Sequence, residues 1–211
     1  MIFDAQGLVS LGRWLINQRY DFSAITALAS KMCAAQLGRV VDVGAGSGAG
    51  GMSVAPYASE VVLCDISDAA LRAARTNRAL NPRPSVSITH SNVLAGITGR
   101  IDTVIANPPF LADAKQRTYR DGGGIMGTGL AVMIVEQAIA RLHAGGRLLL
   151  YTGAPIIGGE DVLARELKRF EPQVKAWRYV ETDPDIFGEE LDEPLYSQVE
   201  RIAAVTLTFT T

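Results

Sequence analysis

The chain has 211 residues, of which 48% are hydrophobic and 20% charged, with a formal net charge of −2. That length and balance describe one large globular domain with an ample core. With a sequence pI near 5.7, the chain lacks the global basic surface that drives nucleic-acid binding. The charge is uneven: residues 181–200 hold eight acids and no Lys or Arg, which leaves the remainder at +6 (20 basic against 22 − 8 = 14 acidic residues). Such a run reads either as a solvated loop or as an acidic wall of a substrate site.

Leu8, Leu11 and Leu15 share one helical face, and a second short helix over Ala24–Cys33 follows, so residues 1–35 are expected to form a helical cover on a main domain spanning 36–211. Asp4 interrupts any basic-then-apolar leader, and no apolar run approaches a membrane span, so a reducing cytoplasm is the expected compartment. Cys33 and Cys64 make neither a disulfide framework nor a metal pattern, and no metal is expected; Cys64, inside Val61–Cys64, reads as a small buried hydrophobe.

From residue 40 onward strand and helix signals alternate. Val40–Val43 predicts a strand and Ala49–Ala58 a helix; Val61–Cys64 is the second strand. Ser67 then caps a helix that runs to Asn81-Pro82. Val86–Thr89 and Ile101–Ala106 are strands three and four. Leu130, Ile134, Val135, Ala138, Ile139 and Leu142 recur at helical spacing up to Gly145-Gly146. Arg147–Tyr151 is strand five, Asp161–Phe170 a helix, and Val174–Val180 and Ile202–Phe209 the last two strands. The expected fold is a doubly wound α/β, Rossmann-like fold with seven strands, mainly parallel. The last two strands are joined through 181–200 without a helical pattern, so the final strand should run antiparallel.

Val41-Asp42-Val43-Gly44-Ala45-Gly46-Ser47-Gly48 runs a strand into a glycine loop, which lets main chain approach a ligand at a helix N-terminus. Gly44-x-Gly46-x-x-Ala49 also satisfies the dinucleotide pattern, and Asp65, ending strand two, suits a ribose diol in either case. Three features favour S-adenosylmethionine. Asp42 would repel a pyrophosphate but suits a cationic group. Asn92 follows strand three, within reach of an adenine edge. Neither a substrate domain nor a suitably placed acid–base histidine remains for a dehydrogenase, since His90 and His143 read as surface or strand-end residues.

Strand four ends in Asn107-Pro108-Pro109-Phe110. An amide oxygen, main-chain carbonyls and an aromatic ring together suit a planar amino group, accepting its N–H bonds and stacking on its plane. The order of the glycine loop, Asp65, Asn92 and Asn107–Phe110 resembles the class I S-adenosylmethionine-dependent methyltransferases, and within them the branch acting on planar nitrogens. Arg120-Asp121-Gly122-Gly123, Gly127-x-Gly129 and Gly145-Gly146 are most similar to the protein-glutamine methyltransferase group; the similarity runs from about residue 38 to 155. The chain departs from that group in three ways. Its N-terminal cover is too short for a substrate-recruiting domain, Phe110 replaces the usual Tyr, and 181–200 has no counterpart.

The resemblance implies that Gly44, Ala45, Gly46 and Gly48 admit the methionine portion of the cofactor, with Asp42 ordering the loop or meeting its amino group. Asp65 would hold the ribose, Ile66 would pack on adenine, and Asn92 with Val93 would read its edge. Asn107 and the Pro108 carbonyl would accept from the target amine, Pro109 would stiffen the turn and Phe110 would pack on the substrate plane; S-adenosylhomocysteine is the implied product. The glycines at 122–129 predict a lid, with Tyr119 and Arg120 touching substrate and Tyr20, Phe22 and Thr26 closing the other side. The expected activity is methylation of an amide, amine or guanidinium nitrogen of a small molecule or protein side chain. The alternatives are methylation of a nucleic-acid base and a non-catalytic nucleotide-binding module. No membrane partner is expected, and oligomeric state is left open.

Overall fold

The computed structural model describes residues 37–115, 117, 120–186 and 188–211. The expected cover over residues 1–35 lies outside them, as do Tyr20, Phe22, Thr26 and Tyr119.

Apolar β-branched residues buried on both faces build the centre of a sheet. β1 (Arg39–Val43) is flanked by β2 (Glu60–Asp65) and β4 (Thr103–Ala106), with β3 (Val86–His90) beyond β2. β5 (Arg147–Ile157) pairs parallel with β4, and β6 (Glu160–Asp161) is a two-residue hook on its end. β8 (Arg201–Thr210) runs antiparallel between β5 and β7 (Lys175–Asp183), as expected for a connection without a crossover helix. The order β3-β2-β1-β4-β5-β8-β7 reverses direction between β1 and β4. In an open α/β sheet, ligands bind at the carboxyl ends of the strands at that reversal. There stand the glycine loop and Asn107.

One face of the sheet is covered by α1 (Ala49–Val54) and α2 (Asp68–Leu80), with Val40, Val61, Leu63, Ala74 and Ile105 in the shared core. The other carries α3 (Gly129–Arg141) and α4 (Val162–Leu167), which bury Ile134, Val135, Leu163 and Leu167 against Val41, Val104 and Leu148. Cys64 belongs to this second core, where burial pushes its thiol up to about 12.

Differences from the expected elements follow from proline and pairing. Pro56 turns the end of the predicted Ala49–Ala58 helix into a 3-10 turn, Ala55–Tyr57. Asp161 caps α4 rather than belonging to it, its carboxylate accepting from Ala164 N–H at 2.7 Å, and 3-10 turns over Lys168–Gln173 carry Phe170 inward. β5 extends six residues past Tyr151 because β8 pairs with it as far as Ile156 and β6 pairs with Ile157.

Candidate active site at the carboxyl ends of β1, β2 and β4

The loop after β1 is held from below. Ala45 N–H donates to Cys64 O (3.0 Å), and Gly48, at φ +84°, lies so close to Leu63 that a Cβ would clash at 2.7 Å. Above Gly44 and Gly46 the space is open: a Cβ there would meet nothing within 4 Å. Main chain is thus presented bare to whatever enters the crevice.

Asp65 organises the next corner. Its Oδ2 accepts from Gly46 N–H (3.0 Å) and its Oδ1 from Ser67 N–H (2.8 Å), so one carboxylate ties the β1 loop to the cap of α2 and keeps lone pairs free for a diol. Ile66 beside it is 52% exposed, an apolar surface at the rim. Across from it Asn92 is exposed and Val93 sits at φ +51°, a strained value for a β-branched residue. Ser91, which sequence reasoning missed, holds that strain: its hydroxyl donates to Val93 O (2.8 Å) and accepts from Gly96 N–H (2.9 Å).

Asp42 is buried and accepts from Gly51 N–H at 2.7 Å, so of the two roles open to it the contact seen is the ordering one, on α1 just past the loop. Burial pushes its carboxyl up to about 7; the Gly51 bond opposes this and the nearby negative Asp65 adds to it.

At the end of β4, Asn107 is half-buried. Its Oδ1 is shielded from solvent and has no hydrogen-bond partner among the described residues. Pro108 is buried and Pro109 half-buried. Phe110 corrects the expectation of an open stacking ring: it is 4% exposed, in a cluster with Leu111, Tyr196, Val199 and Ile202. The cause lies in β5, where Gly153 has no side chain and leaves a slot the ring fills; a Cβ there would overlap it. Phe110 therefore anchors the loop that carries Asn107.

The glycine segment after it is packed main chain on main chain rather than poised as a loose lid. Gly122 N–H donates to Leu111 O (2.8 Å), and a Cβ on Gly122 would meet Pro109 O at 2.8 Å, while one on Gly127 would overlap Phe110 O. Arg120 ion-pairs with Glu190, and its Nε is buried without a partner among the described residues. Tyr196 is 2% exposed, and its hydroxyl accepts from Ala112 N–H (2.7 Å) and donates to Ala112 O (3.2 Å). The acidic segment 181–200 is thus seated on the loop that follows Asn107. The signal available in sequence was Tyr196, an aromatic in a run of acids.

These features define a Rossmann-like crevice with a bare glycine loop, a diol-ready carboxylate and an unpaired amide oxygen on adjacent strand ends. The geranyl diphosphate methyltransferase structure in complex with SAM shares the fold, at TM-score 0.64 and 13% identity over 100% of this chain and 92% of that one. The family model for the methyltransferase small domain matches residues 17–180, and the chain belongs to that family. Release factor glutamine methyltransferase of Deinococcus radiodurans is 34% identical over 164 residues, 72% of this chain and 55% of that protein. Ribosomal RNA small subunit methyltransferase C of Salmonella arizonae is 34% identical over 121 residues, 56% of this chain and 32% of that protein. The chain therefore spans about half or less of the length of these relatives. Among the described residues no helix is long and apolar enough to cross a membrane.

Proposed function

We propose that this protein transfers a methyl group from S-adenosylmethionine to a planar nitrogen (amide, amine or guanidinium) of a small molecule or protein side chain, giving S-adenosylhomocysteine. The observation that carries the reading is the Asn107 Oδ1, a shielded acceptor without a partner, one strand away from the open glycine loop. Leaving such an oxygen unbonded costs about 1–3 kcal/mol, which an incoming N–H would relieve. The D. radiodurans relative, named for glutamine methylation, agrees with an amide acceptor.

When bound, S-adenosylmethionine supplies an activated methyl on a sulfonium, so the protein's part is orientation and desolvation. Gly44, Ala45, Gly46 and Gly48 would accommodate the methionine portion, with Asp42 beneath them as a buried carboxylate for its ammonium. Asp65 would hold the ribose hydroxyls, Ile66 would pack on the adenine, and Asn92 with Val93 beside it would read the adenine edge. Asn107 Oδ1 and the Pro108 carbonyl accept from the target N–H groups, turning the nitrogen lone pair out of conjugation and placing negative charge where the nitrogen becomes positive. Pro109 lacks an N–H and stiffens the turn, and Phe110 anchors it. Arg120, paired with Glu190, stands beside this loop as a substrate contact; Tyr119 and Phe22 are candidates for the same role.

Asn107→Ala tests the assignment. Turnover with amide and amine acceptors should fall by about 100-fold or more while the affinity for S-adenosylmethionine, read by calorimetry, stays within about 3-fold. Equal loss of both would remove Asn107 from the transfer step. A nucleic-acid base amine is the second reading, favoured by the likeness to ribosomal RNA small subunit methyltransferase C.

A further inference from the structure

Residues 69–101 contain five arginines and no Asp or Glu. Four of them, Arg72, Arg75 and Arg78 on α2 and Arg83 in the turn after it, are exposed and make no side-chain hydrogen bond or ion pair among the described residues. Arg75, Arg78 and Arg83, with Ala79, Pro82 and Pro84, line a cavity of about 390 Å³. Elsewhere Arg39, Arg100, Arg117, Arg120, Arg165 and Arg201 each pair with a carboxylate, Arg141 bonds two carbonyls and Arg169 lies over Phe170, while Arg147 and Arg178 are isolated charges rather than members of a cluster. Arg78 complements the C-terminal end of the α2 dipole, but that accounts for one charge of the four. Like charges three residues apart on a helix repel, so the cluster weakens α2 slightly unless something neutralises it.

We propose that this arginine-lined groove is a docking surface for the phosphate backbone of a nucleic acid. Three observations choose that occupant. The charges extend along the surface: Arg72, Arg75 and Arg78 climb α2 in steps of about 4.5 Å, which matches a chain of anions rather than one. The groove is poorly made for a single phosphate, because it lies at the carbonyl end of α2 and is walled by Pro82 and Pro84, which have no N–H to offer. It also lacks the apolar centre of a protein–protein interface, Leu80 being the large exposed hydrophobic residue nearby.

Position gives the surface a purpose. α2 is fixed to the site at two points: its cap residue Ser67 donates to Asp65, and Asn77 Nδ2 on the helix donates to Ser47 O in the glycine loop at 2.9 Å. The groove opens beside the amino end of β3, where Arg83 and Pro84 precede Val86, and the row Arg78, Arg75, Arg72 runs from it along α2 toward the end of the helix that Ser67 ties to Asp65. The surface would deliver a nucleic acid, or a particle containing one, in a single orientation. It does so whether the methylated nitrogen belongs to a base or to a protein held on that particle, so the inference stands apart from the identity of the acceptor.

The test is binding of the full chain, without cofactor, to fluorescein-labelled RNA hairpin and DNA duplex, followed by anisotropy across salt. Neutralising three or four phosphates should give a log–log salt slope of about −3 between roughly 50 and 200 mM. The triple variant Arg75→Glu/Arg78→Glu/Arg83→Glu should weaken binding by about 30-fold or more, whereas Arg178→Glu on β7 should change it less than about 2-fold. Unchanged calorimetric affinity of the triple variant for S-adenosylmethionine shows that it is folded. Asn107→Ala should bind nucleic acid normally, which separates failure of this surface from failure of the transfer reading. No binding at low salt, binding insensitive to the triple variant, or attachment to phosphatidylserine vesicles but not to nucleic acid would each overturn the proposal.

Discussion

The two edges of the sheet carry opposite charge, and they use it differently. In the acidic segment that follows β7 several acids are engaged: Glu190 with Arg120, Glu181 with Arg201 at 3.0 Å, and Glu200 with Gly159 N–H at 3.2 Å. At the β3 edge the α2 arginines are engaged with nothing described. The partnered acids tie the segment to the fold, whereas the clustered α2 arginines are free to meet a ligand. Asn107 Oδ1 in the crevice is likewise without a partner among the described residues, and Asp42 has a backbone N–H and a like charge for neighbours but no cation.

The largest effect expected from this division is at Asp42. Its folded-state pKa is raised from 3.8 to about 7, so the folded protein binds the proton more tightly than the unfolded one. Stability is therefore highest below pH 4 as far as this group is concerned and is lost as pH climbs through 7, by about 4 kcal/mol in all. Asp42→Asn keeps an oxygen for Gly51 N–H and removes the charge. Urea unfolding at a series of pH values should show this decline flattened in the variant, which should be more stable than the parent at pH 8. Cofactor affinity of the parent should rise from pH 6 to 8 as the carboxylate ionises to meet an ammonium, and that rise should vanish in Asp42→Asn. A parent whose stability is level from pH 4 to 8 would show that Asp42 is compensated after all.

A smaller loss is expected in the acidic segment, where Glu190 is a partnered, structural residue. The side chains of Glu190 and Arg120 are 13% and 29% exposed, so the pair is neither fully buried nor at the surface. Glu190→Gln should cost about 1–2 kcal/mol in urea unfolding, between the values for exposed and buried pairs, and should leave cofactor affinity unchanged. A variant as stable as the parent, with altered acceptor KM, would instead make Glu190 part of the substrate wall.

The sequence made the sheet order's consequence legible, because glycine loop, Asp65 and Asn107 each end a strand and strand-end residues converge at a switch point. It also showed the antiparallel last strand, since no crossover helix fits between 181 and 200. What it hid depended on packing. Phe110 looks like a stacking ring until Gly153 is seen to leave it a slot from a strand 43 residues away. Gly122 and Gly127 look flexible until they are seen pressed on the carbonyls of Pro109 and Phe110. Net charge hides a contrast: a total of −2 averages an acidic segment, 181–200, where Glu181 and Glu190 are ion-paired, with the α2 arginines, which have no partner among the described residues. Composition cannot report which charges already have partners.

The smallest effect is the one most specific to the comparison. If the α2 arginines contribute nothing to the fold, then reversing one of them should not destabilise it, unlike the loss of a paired carboxylate. Arg75 lies three residues from both Arg72 and Arg78, and Asp68 is the sole acid between residues 66 and 101. Arg75→Glu replaces two i,i+3 repulsions with two attractions, each worth about 0.2–0.5 kcal/mol. Its thermal midpoint should therefore stay level or rise by about 1–3 °C for a domain of this size, even though Arg75 lines the groove. A fall of several degrees would mean that Arg75 already has a structural partner, and the β3 edge would then be no different in kind from the β7 edge.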